Sequence, residues 1–324
     1  MEKPLPVRKA VRRFIRNNMF SGAACLLGAL PSTWTTRILL APAFLARFSS
    51  VGSIATSNLE QALGETLSPQ ELRACHRGVF KHAARMTAEA AFFSRASSAR
   101  RSAWFDRHVH VDESIKHLHR ALARGQGVIL ATAHLGNWEL IAAALAHIGV
   151  HGAVVGRFRE RDISASWIVN MRERTGVTTL PQDSHPKRLL RVLKDGQVLG
   201  LVCDLDVKRL DGEFLPFFGR LALTMTAPAA LARASKAPII PVRCVRTREH
   251  PERYTILFDP GLQWDLELTK AQAKTQILTD LNATFEGWIR ETPEQWAWYQ
   301  PRWRTRPGAH QPMPLTERNR RNRP

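Results

Sequence analysis

Acidic residues are in short supply. The chain has 28 Asp and Glu against 47 Lys and Arg, a formal net charge of +19 at pH 7. That imbalance implies an acidic partner: nucleic acid, an anionic membrane, or an acidic protein or substrate. Cysteines are few as well. Cys25, Cys75, Cys203 and Cys244 are widely spaced with no CxxC pair, which argues against a disulfide framework or a zinc ribbon and fits a reducing compartment. Long apolar runs are missing. The runs at 19–30 and 38–45, the second interrupted by Pro42, fall short of the roughly 20 residues that span a bilayer. There is no internal repeat or low-complexity tract. No RNP, KH, zinc-finger or helix-turn-helix signature accompanies the basic charge, so a nucleic-acid partner has only the charge and a Trp–Arg cluster in its favour. His108, His110, His117 and His119 have no Cys or carboxylate at ligand spacing, and no metal is expected.

What is present suffices for a folded core: 324 residues, 44% apolar, enough for one elaborated domain or two small ones. Residues 3–16 carry Lys3, Arg8, Lys9, Arg12, Arg13 and Arg16. With the apolar run that follows, they read as an interfacial membrane anchor over residues 1–50, basic groups at headgroups and apolar ones dipping in. The plainer alternative is a core-covering helix with a solvated basic end. Ser68-Pro69-Gln70-Glu71 is a capping box opening a helix to about residue 92. Asp112 caps a shorter one. From 153 onward strands and helices alternate: strands at 153–155, 177–180, 198–203, 239–245 and 254–258, helices at 163–174, 187–194, 226–235 and 270–291. This predicts an α/β fold, a mainly parallel central sheet flanked by helices, over residues 51–306. A Pro- and Arg-rich tail at 307–324 is expected to be disordered.

The stretch Gly127 to Leu145 organises the rest. Residues 128–133 read as a buried strand, and apolar residues at helical spacing begin at Asn137. His134 sits at the junction, at the carboxyl edge where open α/β sheets build their sites. A five-residue separation puts His134 and Glu139 on different faces of one helix. With His134 in the loop and Glu139 in the first turn, the imidazole can fold back onto the carboxylate. Glu139 then holds one ring nitrogen as N–H and leaves the other as a general base. Gly136 and Asn137, at the helix start, offer backbone N–H groups to an oxyanion. The bland alternative is a loop histidine beside an acid favoured by the helix dipole.

Other strand ends carry polar groups to the same rim. Arg157 and Arg159 follow the strand at 153–155, with Arg161, Arg172 and Arg174 beyond; guanidinium forks suit phosphate. Asp204 follows the strand at 198–203. Phe217 and Phe218, in Phe214-Leu-Pro-Phe-Phe-Gly219, either line an acyl-chain slot or sit in a core strand. Pro293-Glu-Gln-Trp-Ala-Trp298 with Arg302, Trp303 and Arg304 suits a membrane interface or base stacking.

His134-Leu-Gly-Asn-Trp-Glu139 resembles the His-x4-Asp/Glu motif of glycerolipid and lysophospholipid acyltransferases. Its flanks are most similar to the bacterial lipid A late acyltransferase family. The resemblance continues through Gly156-Arg157, Arg172, Asp204, Pro216 to Gly219, Thr224 to Ala232, Ile240-Pro241 and Pro293 to Trp298. It departs at Gly156-Arg157-Phe158, where the family has Tyr-Arg-Pro, and at Leu205. The resemblance implies an acyltransferase on the cytoplasmic face of the inner membrane. Its partners would be an acyl-carrier-protein or CoA thioester as co-substrate, a lipid A precursor or related anionic glycolipid as acceptor, and the membrane surface, with no nucleic acid. It implies no cofactor. The catalytic pair would be His134 and Glu139; Gly136, Asn137, Arg157, Arg172, Asp204, Phe217 and Phe218 would bind substrate.

Overall fold

The computed structural model describes residues 22, 26–30, 32–156, 163–206, 211–265, 267–300 and 302–308. After helical residues at 26–29 come two longer helices, α1 (Ser32–Ala46) and α2 (Ser50–Leu63), bent by 77° at their junction. Pro42 lies inside α1 rather than breaking it; the cost is one missing N–H donor in the helical ladder. Among the described residues no single helix is long and apolar enough to cross a membrane. The membrane-associating role read into residues 1–50 rests mostly on positions outside those described. α3 (Pro69–Arg95) starts as its capping box requires: Ser68 Oγ accepts from Glu71 N, and Glu71 accepts from Ser68 N at 2.8 Å. It runs three residues past the expected end.

α4 (Ser98–His108), β1 (Val109–Val111) and α5 (Lys116–Leu122) lead into the alternating part, with Asp112 capping a short 3-10 turn ahead of α5. There follow β2 (Val128–Thr132), α6 (Glu139–His147), β3 (Gly152–Gly156), α7 (Ile163–Arg174), β4 (Thr178–Pro181), α8 (Pro186–Lys194) and β5 (Val198–Val202). A hairpin, β6 (Gly212–Phe217) and β7 (Arg220–Met225), precedes α9 (Ala227–Ser235), β8 (Ile239–Arg246), β9 (Tyr254–Phe258) and α10 (Lys270–Glu291). The seven-stranded sheet has the order β1-β9-β8-β2-β5-β3-β4, and within it only the β8–β9 pair is antiparallel. Helices cover both faces over two apolar clusters.

β2 is the central strand, and all five of its residues are buried. Its pairing with β5 places Thr132 beside Val202. Two residues further along each strand stand His134 and Asp204. The register of two parallel strands thus sets the imidazole beside a carboxylate 70 positions away in sequence.

Candidate active site

His134 Nδ1 lies 2.7 Å from Asp204 Oδ1, and the His134 amide donates to Asp204 Oδ2 at 2.9 Å. The Trp296 indole N–H donates to the same Oδ2 at 2.7 Å. Asp204 is wholly buried, while the His134 side chain is 21% exposed. Burial alone pushes the Asp204 carboxyl up. Its electrostatic interaction with the His134 imidazole, with hydrogen bonds from His134 and Trp296, outweighs that and holds the group below the ordinary carboxylate range. With Nδ1 committed to a carboxylate, the ring is held as the Nδ1–H tautomer and Nε2 is left with its lone pair.

Glu139 is elsewhere. Its two oxygens accept from Arg172 Nε and Nη2, both at 2.7 Å, and Oε1 also accepts from the Trp138 indole at 3.1 Å. The expectation that Glu139 orients His134 is therefore corrected: Asp204, read from sequence as a substrate-binding residue, holds the ring. The reason is geometric. Parallel strand ends lie closer to one another than a loop residue lies to a carboxylate five positions on, which α6 turns towards α7. Arg172 is correspondingly engaged and not free for phosphate. Burial lowers its guanidinium, but the paired Glu139 charge raises it further, so the cation persists. Gly156 makes room for it: a Cβ there would stand 2.6 Å from Arg172 Nη1. Arg157 falls outside the described residues.

The loop between β2 and α6 is clamped on every side. Gly136 has φ 58°, and a Cβ on it would come within 1.8 Å of the Cys244 carbonyl, so only glycine fits. Its N–H donates to Gln295 O at 3.0 Å, the Asn137 N–H to Cys244 O at 2.9 Å, and Ala297 N–H to His134 O at 3.0 Å. The amides of Gly136 and Asn137, expected to face an oxyanion, are thus consumed by the fold. The Asn137 side chain donates to Glu89 at 2.8 Å. Glu89 also accepts from Arg246 at 2.9 Å and from Tyr254 at 2.5 Å, all within the interior. His82, fully buried and pushed down to about 3 by burial and by the Arg246 charge, hydrogen-bonds Gly136 O at 3.0 Å. A neutral ring meeting a carbonyl must donate, so its Nε2 carries the proton.

Phe217 and Phe218 lie in the core. Phe217 packs on Trp296 and Trp303, with the Arg302 guanidinium 4.6 Å over its face. Phe218 and Gly219, at φ 51° and 68°, form the two-residue turn of the β6–β7 hairpin. Of the two readings of this stretch the structure has the core strand.

The apolar slot is on the other side of the sheet, beneath α6. A cavity of about 60 Å³, open to solvent on one side, lies between α6 and strands β2, β3 and β5. It exists because residues facing it are small: Gly200 on β5, and Ala142 and Ala146 on α6. A glycine inside a strand often marks such an approach. Thr132, Trp138, Glu139 and Arg172 line its end at the carboxyl edge, and Val150, Gly176 and Val177 line the far end. Trp138 links the slot to the imidazole, its ring edge-on to His134 at 4.7 Å between centroids.

Glu89 and Arg246 were not singled out from sequence. A signal existed: in sequence Glu89 continues the apolar positions Cys75, Val79, Ala83 and Met86 of α3 at helical spacing, and an acid on an apolar face needs a partner. Among the described residues no group of His, Cys, Asp and Glu is arranged to hold a metal ion.

The chain is 29% identical over 200 residues to a phosphatidylinositol mannoside acyltransferase of Mycolicibacterium smegmatis, covering 58% of this chain and 60% of that one. It is 24% identical over 206 residues to the lipid A biosynthesis palmitoleoyltransferase of Escherichia coli K12, with 63% of each covered. It is 25% identical over 195 residues to the lauroyltransferase of the same strain, with 60% and 61% covered. The matched part spans about three-fifths of the length of these relatives. The profile of one family, bacterial lipid A biosynthesis acyltransferase, matches residues 7–305. With that match across nearly its whole length, over a rim that carries the His134–Asp204 pair, the chain belongs to the bacterial lipid A biosynthesis acyltransferase family.

Proposed function

We propose that this protein moves a fatty acyl chain from an acyl thioester, on acyl carrier protein or CoA, to a hydroxyl of a lipid A precursor or related anionic glycolipid. The observation that carries the reading is the buried Asp204 carboxylate holding a partly exposed imidazole against Trp138, which lines an apolar slot. Nε2 of His134 takes the proton of the acceptor hydroxyl as its oxygen attacks the thioester carbonyl. The C–S bond then breaks, and the imidazolium returns the proton to the leaving thiolate. No covalent acyl-enzyme is needed. General-base help of this kind is worth about 10²–10⁴ in rate. The slot takes the hydrocarbon chain, which loses its contact with water there.

The net positive charge favours an anionic acceptor and bilayer. Trp34, Phe44, Leu45 and Phe48 expose large apolar side chains. Arg37 lies over Trp34, and Arg47 lies over Phe44 and Phe48. Such a surface suits docking at the cytoplasmic face of the inner membrane.

The test is direct. Purified protein is incubated with acyl carrier protein or CoA thioesters and a lipid A precursor in mixed micelles, and the lipids are read by mass spectrometry. Acylated acceptor is expected, falling by two orders of magnitude or more in folded His134→Ala. Free fatty acid released at the same rate with and without acceptor would make the protein a thioesterase and overturn the proposal.

A further inference from the structure

The segment after α10 is built into the site. Gln295 O accepts from Gly136 N, Ala297 N donates to His134 O, and Trp296 bridges Leu135 in antiparallel fashion. Backbone pairing therefore locks Trp296 in register with the loop that carries the base. The far end of the segment is fastened too: Thr305 N and Oγ1 donate to buried Asp206, at 2.6 and 3.0 Å. Trp298 stacks edge-on against Trp296 at 4.5 Å and donates its own indole N–H to Pro293 O at 2.6 Å. Two neighbouring buried indoles thus have different acceptors, one a carboxylate and one a backbone carbonyl.

We propose that Trp296 is a positioning residue for the general base, its indole N–H fixing the Asp204 carboxylate so that Oδ1 meets His134 Nδ1 and setting how much negative charge that oxygen presents to the ring. The inference rests on the acyl-transfer reading for its purpose, not for its geometry. Asp204 Oδ2 receives two donors, Trp296 and the His134 amide, and Oδ1 receives the ring. A carboxylate with one donor removed is more basic and stabilises the protonated imidazole more strongly. Loss of the indole N–H therefore strengthens the hold of His134 on its proton relative to the wild-type protein. The other charged or titratable groups near this centre are Cys203, Arg302, the Asp206–Arg304 pair and the Glu139–Arg172 pair. None of them changes in the variants below. Arg302 is buried, held to Leu223 O and Thr224 Oγ1, and lowered by burial only to about 10, so it stays cationic throughout.

The experiment needs no substrate. Diethyl pyrocarbonate acylates neutral imidazole, and peptide mass spectrometry follows modification of His134 against pH in the full chain. Trp296→Phe keeps an aromatic ring and removes the donor. Trp296→Gln keeps a donor nitrogen the same number of bonds from Cβ and removes the ring. Trp298→Phe removes a comparable buried indole whose donor goes to a carbonyl. Expected is a midpoint moved up by several tenths of a pH unit to about one unit in Trp296→Phe, with Trp296→Gln and Trp298→Phe within error of wild type. An unchanged midpoint in Trp296→Phe, or an equal shift in Trp298→Phe, overturns the inference. Should Trp296→Phe not fold, Trp296→Leu against Trp296→Gln makes the same contrast. Wild-type protein without acyl transfer would sink the function while leaving this result standing.

Discussion

Glu139 and Arg172 meet through two parallel hydrogen bonds of 2.7 Å, fork to fork, on neighbouring helices at the end of the slot nearest His134. Glu139 and Asp204 therefore hold different partners, and the proposed reaction predicts a different signature for each. Asp204→Asn and Glu139→Gln both lower acyl transfer, Asp204→Asn by about 10²–10⁴. Only Asp204→Asn alters the pH dependence of His134 modification. Only Glu139→Gln is coupled to Arg172: a double-mutant cycle with Arg172→Gln, read by denaturant unfolding, gives an interaction of about 1–3 kcal/mol. Additive losses in that cycle would remove the pair from the account.

The slot predicts a ruler. Ala142 and Ala146 face it from α6, one turn apart. Leucine at either position blocks the slot at a different depth. The two sites are separated by about 6 Å along the helix, roughly four C–C bonds. Ala146→Leu shortens the preferred acyl chain slightly, and Ala142→Leu shortens it by about four carbons more. Competition among C8 to C16 thioesters, with products weighed by mass spectrometry, reads the order. An unchanged chain-length profile in both variants places the acyl chain elsewhere.

Buried His82 makes stability pH-dependent. Its folded value is about 3 against an ordinary 6.5. Between those values the unfolded chain binds a proton that the folded one refuses, so stability is lost as pH falls below about 6.5. From this group alone the loss at pH 5 is about 2 kcal/mol. The melting temperature of wild type should fall between pH 7 and pH 5. The slope should flatten in His82→Gln, whose amide still donates to Gly136 O. Parallel slopes in the two proteins would assign the acid sensitivity to other groups.

The exposed aromatic residues of α1 and the turn after it predict membrane binding. Phe44→Ser with Phe48→Ser removes two side chains worth about 1.5–3 kcal/mol each when buried. Sedimentation with phosphatidylglycerol vesicles should show at least a tenfold loss of affinity. Equal binding by wild type and the double variant would mean these residues do not enter the bilayer.

Much of this was legible in the sequence, and unevenly. The helix expected at 163–174 and the strand expected at 254–258 end where α7 and β9 end, because apolar periodicity and β-branched runs are local signals. The junction at His134 was equally clear, since a buried strand followed by helical spacing marks a sheet edge. Its partner was not. Glu139 is five residues away and Asp204 is 70, but adjacency at a sheet edge follows strand order, and the order β8-β2-β5 is not written in any one segment. The hairpin strand β7 was missed for a related reason: its turn is Phe218-Gly219, where Phe stands at a position that Asn or Asp usually marks. The Glu89–Arg246–Tyr254 cluster joins three elements across 165 positions, a distance at which pattern reading has no reach.

The ribosome adds Trp296 long after His134 and Asp204 have emerged. Until that last stretch is delivered and docks, the loop bearing the histidine lacks two of its backbone tethers and the aspartate lacks a donor. During synthesis the pairing of imidazole and carboxylate is therefore seated in two stages, the strand register first and the donors of the later segment after it.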